Sequence, residues 1–342
     1  MKKFCVLIGA GTSAFHSQDK MACPPLGKDL AEAIRNDENH SNDFKELEES
    51  VGTCKGNFED WMIRFIKNTH LYNKTLFCLS GFFLRYCKVP EDSLYLKLIE
   101  EFAEERISKT IFISLNYESL FEIALREKGY NIYWGTDVKD NEFNIEKDYL
   151  CETSVYKPHG SSNFRQSGVT VLSRRSSEQS GLAIKVLGAS TVHLSGVTVK
   201  GGVEVYYKGS IESEVAIKDP QKAYQEFSTF NKNVSAISAY EPGKSSPYSK
   251  DFIESIRKNL LNSIKNIKKA LIIGVSCNKG DEFLNKIIRK IAKKSSIVGY
   301  VGGESDYVKY KELLEKDEKF FPYLGKLNHS DMDKIISFIH NM

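Results

Sequence analysis

The chain has 342 residues, 41% of them hydrophobic and 27% charged, and carries a formal net charge of +3 at pH 7. Such a composition suits a globular protein with a substantial core and excludes a low-complexity or collagen-like chain; the charge is too small to indicate nucleic acid by itself. No apolar run approaches the ~20 residues of a membrane-spanning helix, and the amino terminus lacks a signal-peptide pattern, so the expected location is cytoplasmic, with no membrane partner.

Phe4 to Ile8 is an apolar run that predicts a buried strand. Gly9-Ala10-Gly11-Thr12-Ser13-Ala14 follows with the spacing G-x-G-x-x-G/A, in which small residues let the backbone turn tightly and bring N–H groups against a pyrophosphate. Glycines also end strands for plain turn reasons. Pro24-Pro25 then break the chain. Asp29 and Glu32, at the distance where a dehydrogenase holds a ribose, fall inside a predicted helix from Lys28 to Arg35. Phosphate binding is therefore indicated and hydride transfer is not.

Residues 28–105 read as helical, with Phe58, Trp61, Met62, Phe65 and Ile66 forming a core stripe and Leu94 to Ala103 a further amphipathic helix. Lys109 to Leu115 resumes the sheet, and Asn116-Tyr117-Glu118-Ser119 closes that strand and opens a helix ending at Gly129. Short strands follow at Asn131 to Trp134 and at Ser154 to Lys157, the latter ending in Pro158-His159-Gly160-Ser161. Strand, helix, strand in that order predicts parallel pairing, and open α/β sheets bind ligands beyond the carboxyl ends of their strands. Gly9, Asn116 and His159 each fall just past such an end. His16 reads as a loop residue, and His329 and His340 as solvent-facing.

From Arg165 to Lys218 the texture changes to Val and Thr alternating with Ser and Gly, which predicts a β-rich excursion; Ser-Gly-Val-Thr-Val occurs at 167–171 and again at 195–199. Pro220 to Asn233 reads as helix and Glu241 to Pro247 as loop. The last third returns to α/β, with a helix from Asp251 to Lys268, a buried strand from Ala270 to Ser276, a helix from Asp281 to Lys293, a closing strand from Ser296 to Val301 and two shorter helices from Asp306 and Ser330. A run of Lys and Arg from Lys265 to Lys294 reads as a solvated helix face, leaving nucleic acid open. The seven cysteines (Cys5, Cys23, Cys54, Cys78, Cys87, Cys151 and Cys277) include no C-x-x-C pair, which points to reduced thiols and to no metal.

Gly9-Ala10-Gly11-Thr12-Ser13, Asn116-Tyr117-Glu118-Ser119-Leu120, Pro158-His159-Gly160-Ser161 and Ile273-Gly274-Val275-Ser276 together resemble the motifs of the sirtuin-like fold. More narrowly, they resemble its branch of bacterial antiphage NAD-hydrolysing effectors. The resemblance covers residues 1–30, 106–164 and 250–303. It implies an α/β, Rossmann-like parallel sheet, with a catalytic NAD-binding domain over 1–30 and 106–342, a helical insertion over 31–105 and a β-rich insertion over 165–218. By the same resemblance Gly9, Ala10, Gly11, Thr12 and Ser13 would cradle the NAD pyrophosphate and Phe15 would lie near the nicotinamide ribose. Asn116 would hold that ribose and a catalytic water, His159 would be the general base, and Gly274 and Ser276 would line the adenosine side. NAD would be the substrate, with no metal. Glu118 departs from the family, which usually has Asp there. The branch also implies a homo-oligomer and a partner such as an ATPase or nuclease.

The chemistry of these residue types agrees. Nicotinamide leaves from a cationic pyridinium and needs no general acid, so the protein must fix an oxocarbenium-like ribose and deliver water. A carboxamide both donates and accepts, and an imidazole suits removal of a proton. Two other functions fit the same motifs: an NAD-dependent protein deacylase, against which the missing paired zinc cysteines count, and a module that senses NAD or ADP-ribose without turning it over.

Overall fold

The computed structural model describes residues 2–56, 58–65, 68–86, 88–135, 139–140, 151–172, 183–187, 191–194, 197–200, 202–205, 235–237, 250–278, 280–315, 320–326, 328 and 331–341. The protein is α/β. Its principal sheet has six strands, β1 (Phe4–Ile8), β2 (Thr110–Ser114), β3 (Asn131–Tyr133), β4 (Glu152–Tyr156), β5 (Lys269–Ile273) and β6 (Ile297–Val301). All pair in parallel, in the order β6-β5-β1-β2-β4-β3, consistent with a Rossmann-like fold. The central strands are buried along almost their whole length, as expected where a parallel sheet is covered on both faces, which is why β1 and β2 read as continuous apolar runs.

Register makes the carboxyl ends level. Ile8 stands beside Ile273 on one side and Ser114 on the other, Ile273 beside Val301, and Ile113 beside Tyr156. After β1 the chain crosses to β2, whereas β5 and β6 extend the sheet from the opposite edge of β1, so strand order reverses between β1 and β5. Loops leaving two neighbouring strands in opposite directions open a crevice between them.

Between β1 and β2 lie α1 (Ala10–Ala14), α2 (Gly27–Arg35), α3 (Ser41–Val51), α4 (Phe58–Met62), α5 (Thr69–Leu84), α6 (Leu94–Glu100) and α7 (Glu104–Ser108). Helices α2 to α5 share a second hydrophobic cluster, in which Phe58, Trp61, Met62 and Phe65 pack with Ile34, Phe44 and Leu47. Helix α6 stops at Glu100 rather than at Ala103, because Ala103 is already the extended residue that starts α7. After β2 come α8 (Leu120–Glu127), α9 (Lys250–Ser263), α10 (Glu282–Lys294), α11 (Glu304–Leu314) and α12 (Met332–His340). Helix α9 gives way at Ser263 to a 3-10 turn over Ile264–Asn266.

The β-rich stretch contains strands Gly160–Leu172, Ala183–Leu187, Thr191–Leu194, Val197–Lys200 and Gly202–Val205. The two Ser-Gly-Val-Thr-Val copies do not pair with each other: the first lies in Gly160–Leu172, which pairs with Ala183–Leu187, and Val197–Lys200 pairs with Thr191–Leu194. The predicted helix at 220–233 and loop at 241–247, together with Ile66 and His329, lie outside the described residues.

One buried ion pair ties α8 to the end of β4. Lys157 Nζ lies 3.1 Å from Glu122 Oε1, both side chains are fully buried, and the same ammonium donates to the backbone O of Glu118 at 2.6 Å. Burial pushes the Glu122 carboxyl up, and the Lys157 charge opposes it. Removing one partner of such a pair leaves an uncompensated charge, at a cost of about 3–5 kcal/mol. We expect Lys157→Met to lose about that much stability in denaturant titrations, and Glu122→Leu added to it to restore most of the loss. A carboxyl whose folded pKa is raised binds its proton more tightly in the folded state, so stability falls as pH rises above the unfolded carboxylate value. The deficit of Lys157→Met should accordingly be smallest in acid.

Candidate functional site

The turns after β1 and β5 are in direct backbone contact. The Gly9 N–H donates to Ile273 O at 2.9 Å, the Gly11 N–H to Gly274 O at 3.0 Å, and the Thr12 N–H to Gly9 O at 2.9 Å. A Cβ on Gly9 would lie 2.5 Å from Gly274 O and 2.9 Å from Val275 Cα; a Cβ on Gly274 would overlap the backbone N of Thr12. Gly274 also has φ +62°, a left-handed conformation that favours glycine. The glycines therefore serve first to let two turns touch. Several N–H groups that the spacing predicts for a pyrophosphate are already used within the fold.

Over this contact lies a cavity of about 790 Å³, at the crevice where strand order reverses. Small-ligand sites have volumes of about 300–1,000 Å³. Gly9, Ala10, Gly11 and Phe15 form one wall, Leu26, Gly27 and Lys28 at the start of α2 another, and Gly274, Val275 and Ser276 a third. Gly302, Gly303, Lys326 and Asn328 reach its far end, and His159 also lines it. Phe15 is 47% exposed, leaving much of its ring uncovered at the wall. Glu59, Asp281 and Asp306 bring carboxylates and Lys28 and Lys326 bring ammonium groups, so the lining carries both signs of charge.

No protein-family model and no curated protein matches this chain.

Thr12, Ser13 and Asn116 are seated behind the wall rather than on it. Thr12 Oγ1 donates to Ile273 O at 3.0 Å. The Ser13 hydroxyl donates to Glu118 Oε1, so the Tyr95 phenol at 2.6 Å and Asn116 Nδ2 at 2.8 Å must both donate to Ser13 Oγ. Asn116 Oδ1 is buried and accepts no hydrogen bond among the described residues. Asn116 does not cap the following helix: Ser119 stands at that position, and Glu118 Oε2 accepts the Leu120 N–H at 2.6 Å. Glu118 thus finds room for its extra methylene by folding back between Ser13 and the start of α8. Burial, followed by the nearby Glu118 charge, holds the Tyr95 phenol well above its usual range. His16 is a buried residue of the same region, with Nδ1 3.0 Å from Ser93 Oγ and Nε2 3.0 Å from Ala22 O, and burial pushes its imidazole down.

His159 is held in a tight turn. The Gly160 N–H, at φ +76°, closes on Lys157 O at 2.9 Å, and Arg257 Nε donates to Pro158 O at 3.1 Å. His159 is 3% exposed, and its Nε2 lies 3.2 Å from Asp281 Oδ2. Asp281, Glu118, Tyr95 and Lys157 escape a reading of the sequence as site residues. Asp281 leaves a trace there only as the acidic residue that begins a helix. Among the described residues no group of three or more His, Cys, Asp or Glu side chains is placed to hold a metal ion. His340 lies away from all of this, exposed and 2.8 Å from Glu101 Oε2.

The contact between turns makes a checkable demand. Gly274→Ala places a side chain in left-handed backbone and into Thr12, which we expect to cost at least about 1–3 kcal/mol, read as a lowered thermal midpoint. Ser276→Ala, at a neighbouring lining position, should leave the midpoint nearly unchanged.

Proposed function

We propose that the protein is an NAD+ glycohydrolase with a sirtuin-like catalytic core, cleaving NAD to nicotinamide and ADP-ribose or its cyclic form. One observation carries this: the Gly9–Gly11 turn, the Gly274–Ser276 turn and His159 line a single cavity at the carboxyl edge of a parallel sheet. Phe15 and the start of α2 supply further wall, and the volume suits an elongated ligand bearing two rings.

In this site the glycosidic bond breaks with its electron pair going to the pyridinium nitrogen, so nicotinamide leaves neutral. Water adds to the oxocarbenium carbon and gives its proton to His159. Asn116, tied through Ser13 to Tyr95 and Glu118, holds its carboxamide rigid beside the ribose. Lys28 and Lys326 offer the phosphates the positive charge that the occupied N–H groups of the glycine turn do not. Depletion of NAD is the activity of an antiphage effector, for which the chain would assemble as a homo-oligomer, with an ATPase or nuclease as partner. Residues 165–218 are our candidate assembly surface. In keeping with this, no helix among the described residues is long and apolar enough to cross a membrane.

A second reading is favoured by the position of Asn116 behind the wall: a sensing module would hold NAD or ADP-ribose there and release nothing. Incubating the pure protein with NAD and following nicotinamide separates the two. We expect release, and a fall of about 10²- to 10⁴-fold for His159→Ala and a comparable one for Asn116→Ala in folded protein. Binding without release favours the sensing module, and release that survives both substitutions removes the assignment of these residues.

A further inference from the structure

Extending the NAD-cleaving reading above, we infer that Asp281 is a positioning residue: it fixes the tautomer of His159, so that Nδ1 is the atom that takes the proton from water. The two side chains reach each other from loops that follow β4 and β5, strands separated in the sheet by β1 and β2, so the contact passes across the turns that line the cavity. Each is only 3% exposed, and Asp281 Oδ2 stands 3.2 Å from His159 Nε2.

A neutral imidazole carries one N–H and one lone pair, whereas an ionised carboxylate only accepts. With Asp281 facing Nε2, the proton belongs on Nε2 and the lone pair on Nδ1. The carboxylate is itself fixed, since Oδ1 caps α10 by accepting the Leu284 N–H at 3.0 Å and the Asp281 N–H donates to Asn278 O at 3.2 Å. When water adds to the ribose carbon and its proton moves to Nδ1, the imidazolium that forms lies beside a fixed negative charge. Such a pair gains strength where water is excluded. The proton then passes to solvent and the neutral tautomer returns, so the cycle balances with no further reactant.

The test uses the full chain and two variants that keep the helix cap. Asn and Ser both cap helices well, so Asp281→Asn and Asp281→Ser remove the carboxylate while leaving the start of α10 satisfied. Imidazole nitrogen NMR of the intact protein should show His159 as the Nε2–H tautomer, and both variants should lose that preference. In nicotinamide release, kcat should fall about 10²-fold or more with KM for NAD within about threefold. A wild-type His159 protonated on Nδ1, or a tautomer unmoved by both variants, overturns the inference whether or not the protein cleaves NAD. If NAD is cleaved, unchanged kcat in both variants overturns it too. If the wild type releases no nicotinamide, the NAD-cleaving reading fails, and the NMR result alone decides whether Asp281 sets the tautomer.

Discussion

Two backbone turns touching without side chains between them is the constraint on which the site depends. Gly9, Gly11 and Gly274 bring the ends of β1 and β5 into hydrogen-bonding contact, and the Gly11 N–H to Gly274 O bond locks the pair. Because these are the neighbouring strands at which sheet order reverses, closing their turns on each other sets the floor of the crevice and the position of everything around it. Phe15 and the start of α2 follow from the first turn, Ser276 and Asp281 from the second. His159 arrives from β4, level with them because the parallel register keeps the strand ends aligned.

Behind that floor the structure holds an unusual amount of buried polarity for a region between a sheet and its helices. Ser13, Tyr95, Asn116 and Glu118 satisfy one another, and the Lys157 ammonium bridges the Glu118 carbonyl and the Glu122 carboxylate. Buried networks of this kind hold geometry when nearly complete and cost stability when broken. Here the network reaches from the first turn through α6 and α8 to the residue just before Pro158-His159, so the glycine turn and the histidine turn are braced by the same set of bonds. The free Oδ1 of Asn116 is the exception within it. A buried acceptor left open beside a cavity is where a ligand hydroxyl or a water would complete the set.

Much of this architecture can be read in the sequence. The strands of the principal sheet announce themselves as apolar runs, and the stripe from Phe58 to Phe65 reads correctly as core because its spacing is helical. Strand ends are legible as well, since Gly9, Asn116, His159 and Gly274 each follow one. Two features are not. Glycine spacing does not say whether a bare backbone approaches a phosphate or another turn, and at Gly11 the structure has the second. Nor does local pattern show which polar residues face each other across a sheet: Ser13 and Glu118 are 105 residues apart, and Asp281 lies more than 120 residues beyond His159. Asn116 reads as a helix cap because Asn commonly fills that role, but the chain spends two more residues, Tyr117 and Glu118, before α8 begins.

The central claim is that one nucleotide sits where these turns meet. Backbone amide hydrogen exchange of the full chain, with and without a saturating non-cleavable carbocyclic analogue of NAD, tests it most directly. We predict slowed exchange in the segments spanning residues 9–15, 26–28 and 274–281, and in that containing His159. Exchange unchanged in all of these, or slowed only in segments remote from the cavity, would contradict the account.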